Sequence, residues 1–178
     1  MGRINYEIDK AESNIHWFGK KIAGSHHGTI DISEGILTTD NGELAAGGLV
    51  VDTRSIKILD ITDADTNEQF KGHLASEDFF ASENYPTATL VISKVSRRGK
   101  SNHHIVADLT IRGITQSTEF DAEFDNIAGV RVKASARLVI DRTKYNMKFR
   151  SGYFFKDLGD ALIYDDFTLN VQLTARAS

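Results

Sequence analysis

The residues best suited to chemistry are concentrated in HLASEDFFASENYP, residues 73–86. This stretch combines His73, the acids Glu77 and Asp78, two adjacent phenylalanines and the only proline of the chain. A histidine beside a carboxylate could act as a general base. A hydrolase also needs a nucleophile and an oxyanion site, and the sequence contains no G-x-S-x-G, H-E-x-x-H or glycine-rich phosphate motif. We therefore predict that His73 and Asp78 form a structural clasp, and an enzyme with His73 as general base is the alternative.

The segment DADTN (63–67) imitates the first half of a calcium loop, with oxygen ligands at its first, third and fifth positions. Glu68 occupies the position that requires glycine, and Leu74 the position that requires glutamate. Acids at this spacing are also typical of a helix N-terminus, where they complement the helix dipole. We prefer that interpretation, and we predict no metal site and no cofactor.

Two pairs of adjacent histidines, His26–His27 and His103–His104, lie in segments that we predict to be strands. Neighbouring residues of a strand point to opposite faces, so neither pair can chelate a metal as a unit. We expect both pairs to be surface residues close to turns.

The net charge of −4 argues against nucleic acid as a partner, because phosphate binding needs a basic surface. The 178 residues can form one full hydrophobic core, and we predict a single domain over 1–178. Cysteine is absent, which excludes disulfides and leaves cytosol and periplasm both open. The first residues hold no apolar signal region, and no run approaches transmembrane length. The chain as it stands is predicted to be cytoplasmic, or periplasmic if an export signal is missing from it.

The elements that must position these residues are mainly β-strands. Apolar and polar residues alternate in TEFDAEFD (118–125), RVKASARLVI (131–140) and FTLNVQLTA (167–175). Such alternation indicates strands with one buried and one solvent-facing side, as in antiparallel sheets. DNG (40–42) and RRGK (97–100) are turn signals between further strands. Roughly eight to ten short strands in all predict an all-β barrel or sandwich.

The alternation also predicts how two of these strands pair. Phe120, Ala122 and Phe124 must share a face with the apolar residues of the strand that follows, since a slip by one residue would turn a whole face over. We predict that Phe124 lies opposite Val132 and Ala122 opposite Ala134, with residues 126–130 as the connecting loop.

Residues 62–82 depart from this pattern and predict a short helical crossing between two strands. TDADTNEQFKGHL (62–74) has acids early and a lysine near a glycine late, as a capped helix does. SEDFF predicts a second helix with Ser76 as its N-cap. We expect Phe79 and Phe80 to plug the barrel end, one entering it and the other packing outside, because exposing both would be costly.

The motifs of the chain, taken together and in their order, resemble the YceI-like family. The resemblance is carried by SNIHW (13–17), VDTRSI (51–56), HLASEDFF (73–80), YPTATLVI (85–92), LTIRGIT (109–115), IDRTKYNM (140–147) and DDFTLNVQLTA (165–175). FGKKIAGSHHGTI (18–30) and YFFKDLGD (153–160) are similar to one bacterial subgroup. The resemblance implies an extended antiparallel lipocalin-like barrel of about eight strands. It also implies binding of amphiphiles with long isoprenoid tails, such as polyprenyl chains or isoprenoid quinones, and export of many members to the periplasm.

A barrel of this size is either filled by its own side chains or holds one small ligand. Small inward residues such as Ala134 and Ala136 favour a cavity, of roughly 300–1,000 Å³, and we expect Trp17, Phe120 and Phe124 to be buried beside it. The candidates for the apolar cavity wall are Ile15, Trp17, Phe79, Phe80, Leu90, Phe120, Phe124, Ala134, Ala136 and Leu169. The candidates for the polar mouth are Arg142, Tyr145 and Arg150.

These observations predict a non-enzymatic protein that carries or sequesters a hydrophobic, isoprenoid-tailed small molecule. A barrel with a filled core that acts through its surface is a third hypothesis, beside the enzyme. The expected partner is the small amphiphile, with no nucleic acid and no integral membrane segment, and a homodimer stays open.

Overall fold

The computed structural model of the chain describes residues 2–22, 24–152 and 163–178. Within these ranges nine strands and one α-helix form the fold, in the order β1 (Arg3–Ile8), β2 (Asn14–Lys21), β3 (Gly24–Asp40), β4 (Glu43–Ile58), α1 (Ala64–Ala75), β5 (Thr87–Arg97), β6 (Asn102–Ile111), β7 (Ile114–Ile127), β8 (Arg131–Asp141) and β9 (Ile163–Ala177). Short 3-10 turns cover Lys10–Glu12 and Arg142–Tyr145. The segment YFFKDLGD (153–160), with its subgroup resemblance, lies outside the described residues.

The strands form one antiparallel sheet that closes on itself, in the order β2, β9, β8, β7, β6, β5, β4, β3 and back to β2. Strand β1 extends the position of β2 along the barrel, because it pairs with the other ends of the same two neighbours. The closed barrel therefore has eight strand positions. The predicted all-β, antiparallel, lipocalin-like barrel is confirmed.

Side-chain alternation decides which face of each strand is buried. In β7, Phe120, Ala122 and Phe124 are each at most 8% exposed, whereas the acids between them face solvent. In β8, Val132 and Leu138 face the same interior. The predicted sharing of one face by these two strands is confirmed.

The predicted register between β7 and β8 is wrong by two residues. Phe124 lies opposite Ala134 rather than Val132, and Ala122 lies opposite Ala136. The reason is that β7 continues to Ile127, which leaves only residues 128–130 for the turn. A shift of two residues keeps every side chain on its predicted face, so the alternation could not detect the error.

The connecting turns are set by residues that tolerate positive φ. Asn41 and Gly42 have φ values of 52° and 86°, which confirms the hairpin predicted at DNG. The turn after β7 uses Ala128 and Gly129 in the same region, with φ values of 56° and 73°. The Asn126 side-chain oxygen accepts a hydrogen bond from the Gly129 amide at 2.9 Å and fixes this turn.

Helix α1 begins after Asp63, whose carboxylate accepts a hydrogen bond from the Thr66 amide at 2.9 Å. The predicted second helix is wrong, because residues 76–84 form successive turns. Both the amide and the hydroxyl of Ser76 donate to the His73 carbonyl, so Ser76 ends α1. The Ser76 hydroxyl oxygen also accepts from the Asp78 amide at 3.3 Å, but the residues that follow form turns and not a helix. Among the described residues no helix is long and apolar enough to span a membrane.

The barrel has two different ends. We call the mouth end the one where β4 leads into α1, β5 begins, β8 ends and β9 begins. At the other end, which we call the closed end, the chain turns at residues 41–42, 98–101 and 128–130. Side chains that are 0% exposed, namely Tyr6, Thr39, Val132 and Ala175, fill the interior there.

Candidate ligand-binding site

An apolar cavity of about 440 Å³ lies inside the barrel, within the predicted size range. Side chains from β2 to β9 line it, together with residues of α1 and of the turns that follow the helix. It reaches from Phe80 at the mouth end to Leu44, which lies beside the hairpin at the closed end. The third hypothesis, a barrel with a filled core, does not agree with this interior.

Small residues on the inner face create the space. Ala134 and Ala136 of β8 line the cavity, and both are only partly buried because their exposed surface faces it. In β4, Gly47 also lines the cavity, and a Cβ there would lie 3.0 Å from the Leu37 side chain. Larger residues at these positions would occupy the space that a ligand needs.

Nine of the ten predicted wall residues line the cavity. They are Ile15, Trp17, Phe79, Phe80, Leu90, Phe120, Ala134, Ala136 and Leu169. Phe124 is buried but does not line the cavity, since it lies toward the closed end, against the ring of His103 at 5.9 Å. Trp17 is half-buried rather than buried, because its ring faces the open interior.

The two phenylalanines of SEDFF both face the cavity, so the expectation that one packs outside the barrel is wrong. Phe79 is 8% exposed and contacts the ring of Phe149, with centroids 5.8 Å apart. Phe80 contacts the ring of Phe167 of β9 at 6.4 Å. Both residues lie in the turns between α1 and β5 rather than in a strand, so no alternation forces their side chains to opposite faces. The two rings therefore form part of the roof over the mouth.

His73 and Asp78 contact each other as the clasp prediction requires. The Nε2 of His73 and the Oδ2 of Asp78 are 3.0 Å apart. The Asp78 side chain is 51% exposed, so this hydrogen bond competes with water. His73 lines the cavity, but its ring packs edge-on against Phe79 and Phe149, at 5.1 and 4.6 Å between centroids. The imidazole thus lies between an apolar roof and solvent.

The helical crossing is also held onto the barrel by buried hydrogen bonds, which compete less with water than the His73–Asp78 bond does. The sequence analysis did not predict them. Thr53 and Ser82 are each 2% exposed. The Thr53 hydroxyl donates to the Tyr85 carbonyl at 2.8 Å, and the Ser82 hydroxyl donates to the Thr53 carbonyl at 3.2 Å. The amide group of Asn67 donates to the Ile58 carbonyl at 2.9 Å and so ties α1 to the end of β4. The only signal for Thr53 was its place in the motif VDTRSI.

Arg142 is only 3% exposed, although it was predicted at a polar mouth. Its guanidinium lines the cavity and donates to the carbonyls of Tyr164, Met147 and Ile163, at 2.9, 2.6 and 3.1 Å. Burial lowers the pKa of this guanidinium, while Asp165 and then Asp141 partly oppose that shift. Arg142 therefore fastens the chain before β9 and still presents its charge to the cavity.

The other two candidates for the polar mouth, Tyr145 and Arg150, differ in where their side chains lie. Tyr145 is 2% exposed and does not line the cavity, so the prediction of a polar mouth group there is wrong. The 3-10 turn before Asn146 directs its ring into the core, and burial raises the pKa of its hydroxyl. Arg150 lines the cavity, is exposed, and lies over the Phe149 ring with 5.0 Å to the centroid.

The expectation that both histidine pairs lie on the surface is wrong for His103. His103 is 4% exposed and faces the barrel interior, with Nδ1 2.8 Å from the Ser101 carbonyl. His26 lines the mouth and contacts Asp60 at 2.9 Å. His104 lies on the outer face, where hydrogen bonds with Asp121 and then Glu119 raise its pKa. The part of the chain that the structure describes contains no group of three or more metal-ligating side chains.

A closed antiparallel barrel with an internal apolar cavity and a helical crossing at its mouth defines a lipocalin-like barrel that can enclose a small apolar molecule. A family model described as YceI-like domain matches residues 6–175 of this chain. The chain therefore belongs to the YceI-like domain family, and the predicted resemblance is confirmed.

Curated relatives agree with this assignment. A UPF0312 protein of Pseudomonas putida (strain W619) is 26% identical over 151 residues, which cover 80% of this chain and 76% of that protein. A UPF0312 protein of Staphylococcus aureus (strain USA300) is 28% identical over 160 residues, covering 82% of this chain and 83% of the relative.

Two solved structures share the fold. BcnA of Burkholderia cenocepacia matches with a TM-score of 0.76 at 22% identity, covering 94% of this chain and 99% of BcnA. A polyisoprenoid binding domain from Saccharophagus degradans, implicated in plant cell wall breakdown, matches with a TM-score of 0.73 at 14% identity, covering 98% and 99% of the two chains.

Proposed function

We propose that this protein binds and carries a hydrophobic, isoprenoid-tailed amphiphile inside its barrel, without changing it chemically. The observation that carries the proposal is the continuous apolar cavity of about 440 Å³ that opens under α1. Its walls offer almost no polar partner along the barrel, which suits a hydrocarbon tail rather than a sugar or a peptide. The polyisoprenoid binding domain of Saccharophagus degradans, which has the same fold, supports this class of ligand.

The size of the cavity limits the tail. At about 440 Å³ the cavity lies toward the lower end of the roughly 300–1,000 Å³ of small-molecule pockets, so it encloses only a short length of tail. A longer tail needs further opening at the mouth, where the roof is made of side chains on turns. Binding would come from removal of apolar surface from water, at about 25 cal/mol per Å².

Native mass spectrometry of gently purified protein, followed by lipid extraction, tests the proposal. We expect a fraction of the protein to carry one extra mass, and the extract to contain a molecule with an isoprenoid tail. Reloading the extracted protein with an isoprenoid quinone should restore one bound molecule per chain. Protein that never carries or accepts such a ligand would contradict the proposal.

An enzyme acting on a similar lipid is the second candidate, because His73 faces the cavity and contacts Asp78. The rings of Phe79 and Phe149 on the imidazole favour a structural role over that of a base in a wet site. Wild type and His73→Ala, loaded with the same quinone, separate the two. Conversion to a new mass in wild type alone, at equal stability, would establish the enzyme.

A further inference from the structure

One histidine joins the wall of the barrel to the helical crossing. His26 lies in β3, and its Nδ1 is 2.9 Å from the Oδ2 of Asp60, which lies between β4 and α1. The His26 ring also packs against the ring of Phe70 of α1, with centroids 4.8 Å apart. His26 and Phe70 both line the cavity. A single side chain therefore contacts the segment that leads into α1 and α1 itself, at the entrance of the cavity.

The segment before α1 is held on β3, whereas α1 is packed more loosely. Asp60 accepts a hydrogen bond from the His27 amide at 3.2 Å, and the Leu59 amide donates to the His27 carbonyl at 3.0 Å. No residue of α1 is fully buried, and Phe70 is only half-buried. The helix can therefore move away from the mouth without exposing a packed core, and the contacts of the His26 ring oppose that movement.

The charges around His26 determine what its protonation does. Among the described carboxylates, only that of Asp60 lies within 4.0 Å of the imidazole. Burial tends to raise the pKa of Asp60, but the hydrogen bonds with His26 and the His27 amide hold this pKa below its ordinary value. Asp60 is therefore an anion at neutral pH, and a proton on His26 creates an ion pair. The other charged or titratable residues on the neighbouring elements are Lys20 and Lys21 of β2, Lys57 of β4, and Asp65, Glu68, Lys71 and His73 of α1.

We propose that His26, Asp60 and Phe70 form a pH-dependent latch, which holds α1 over the mouth more firmly when the imidazole is protonated. This inference rests on the proposed function and concerns the rate at which the bound amphiphile leaves. The imidazolium makes a charge-assisted hydrogen bond to Asp60, roughly twice as strong as a neutral one, and its charge also attracts the Phe70 ring. The neutral imidazole keeps only the neutral bond. Release should therefore become faster as the pH rises through the range in which histidine loses its charge.

The test measures release of farnesol from the full chain into an excess of phosphatidylcholine vesicles. Farnesol has no titratable group, and the vesicles keep their net charge over the pH range used. Trp17 is the only tryptophan and lines the cavity, so its fluorescence reports loss of the ligand. We expect release about three- to tenfold faster at about pH 8.5 than at about pH 5.5.

His26→Asn is the test variant, because its amide can still donate a neutral hydrogen bond to Asp60 but cannot be protonated. It should release farnesol at one rate over the whole pH range. Asp60→Asn, which removes the other charge of the pair, should also lose the pH dependence. The matched control is His104→Gln, which removes a titratable histidine from the outer face and should keep the wild-type dependence.

His73 needs a variant of its own, because its pair with Asp78 is also at the mouth. The two side chains of that pair are 36% and 51% exposed, against 26% and 23% for His26 and Asp60. Solvent weakens the more exposed pair, so His73→Ala should release farnesol faster at every pH and keep most of the ratio between the two ends of the range.

A wild-type release rate that does not change with pH would overturn the latch and leave ligand binding intact. The same conclusion would follow if His26→Asn and Asp60→Asn both kept the wild-type dependence, or if His73→Ala alone abolished it. Failure of farnesol to change the Trp17 fluorescence of wild type at any pH would instead overturn the proposed function.

Discussion

Enlarging Ala136 to leucine tests the cavity directly. The change adds three carbon atoms to a side chain that lines the cavity of about 440 Å³, so the cavity should become smaller. The added carbons enter apolar space, where each is worth about 0.8 kcal/mol when it leaves water. We therefore expect the free energy of unfolding of the ligand-free protein to stay constant or rise by up to about 2 kcal/mol.

Ala107 of β6 provides the matched control. It also faces the interior, but it is 0% exposed and does not line the cavity. Leucine at this position has no empty space to enter, so overpacking should cost about 1–3 kcal/mol. The two substitutions are chemically identical, and their difference in stability therefore measures the space beside each site.

Two assays measure the effects of these substitutions on stability and on ligand size. Denaturant unfolding of lipid-extracted protein gives the free energies, and native mass spectrometry with a series of isoprenoid alcohols gives the longest tail accepted. Ala136→Leu should shorten that tail by about three carbons, the number that the substitution adds to the cavity wall. If Ala136→Leu destabilises the protein as much as Ala107→Leu does, the interior is already full and the carrier reasoning fails.

Three further predictions concern the crossing and the outer face. His73→Ala should lower the melting temperature slightly and speed ligand release, because the hydrogen bond to Asp78 is worth about 1 kcal/mol or less where it is exposed. Ser82→Ala should cost about 1–3 kcal/mol of unfolding free energy, since it removes a buried hydrogen bond to the Thr53 carbonyl. The pKa of His104 is raised above its ordinary value of 6.5, so its stabilising effect is complete below pH 6.5 and is lost as the pH rises through the higher, folded value. His104→Gln should remove that part of the pH dependence of stability.

For each of these three predictions, one experimental result would contradict it. Release from His73→Ala at the wild-type rate would show that the clasp does not limit opening. A Ser82→Ala protein as stable as His73→Ala would show that the buried bond is no stronger than the exposed one. For His104, urea unfolding of both proteins from pH 5.5 to 8.5 should give curves that converge at the alkaline end, and parallel curves would refute the pKa argument.

The faces of the strands and the hairpin at residues 40–42 could be predicted from the sequence, because both depend on local rules. Side chains alternate across a strand with a period of two, and an Asn-Gly pair accepts the positive φ values of a tight hairpin. The same period could not fix the register of β7 against β8, because a shift of two residues leaves the alternation unchanged. Only the turn at Ala128 and Gly129 decided it.

The roof of the cavity depended on long-range contacts, because Phe79 packs against Phe149 and Phe80 against Phe167 of β9. The sequence SEDFF predicts a helix, yet Ser76 ends α1 by donating to the His73 carbonyl, and Phe79 and Phe80 both line the cavity. The burial of Tyr145 likewise follows from where the chain turns after β8.

The sequence determined that the chain is an all-β barrel or sandwich with small residues on inward faces, since composition and alternation are properties of each strand alone, and the family resemblance implied the barrel. Only the tertiary structure decided that this space is one connected cavity, because eight strand positions must close before their inner faces meet. It also decided that Arg142 is buried at the mouth end, because the start of β9 brings the carbonyls of Ile163 and Tyr164 to its guanidinium. The sequence predicted only a polar residue at the mouth.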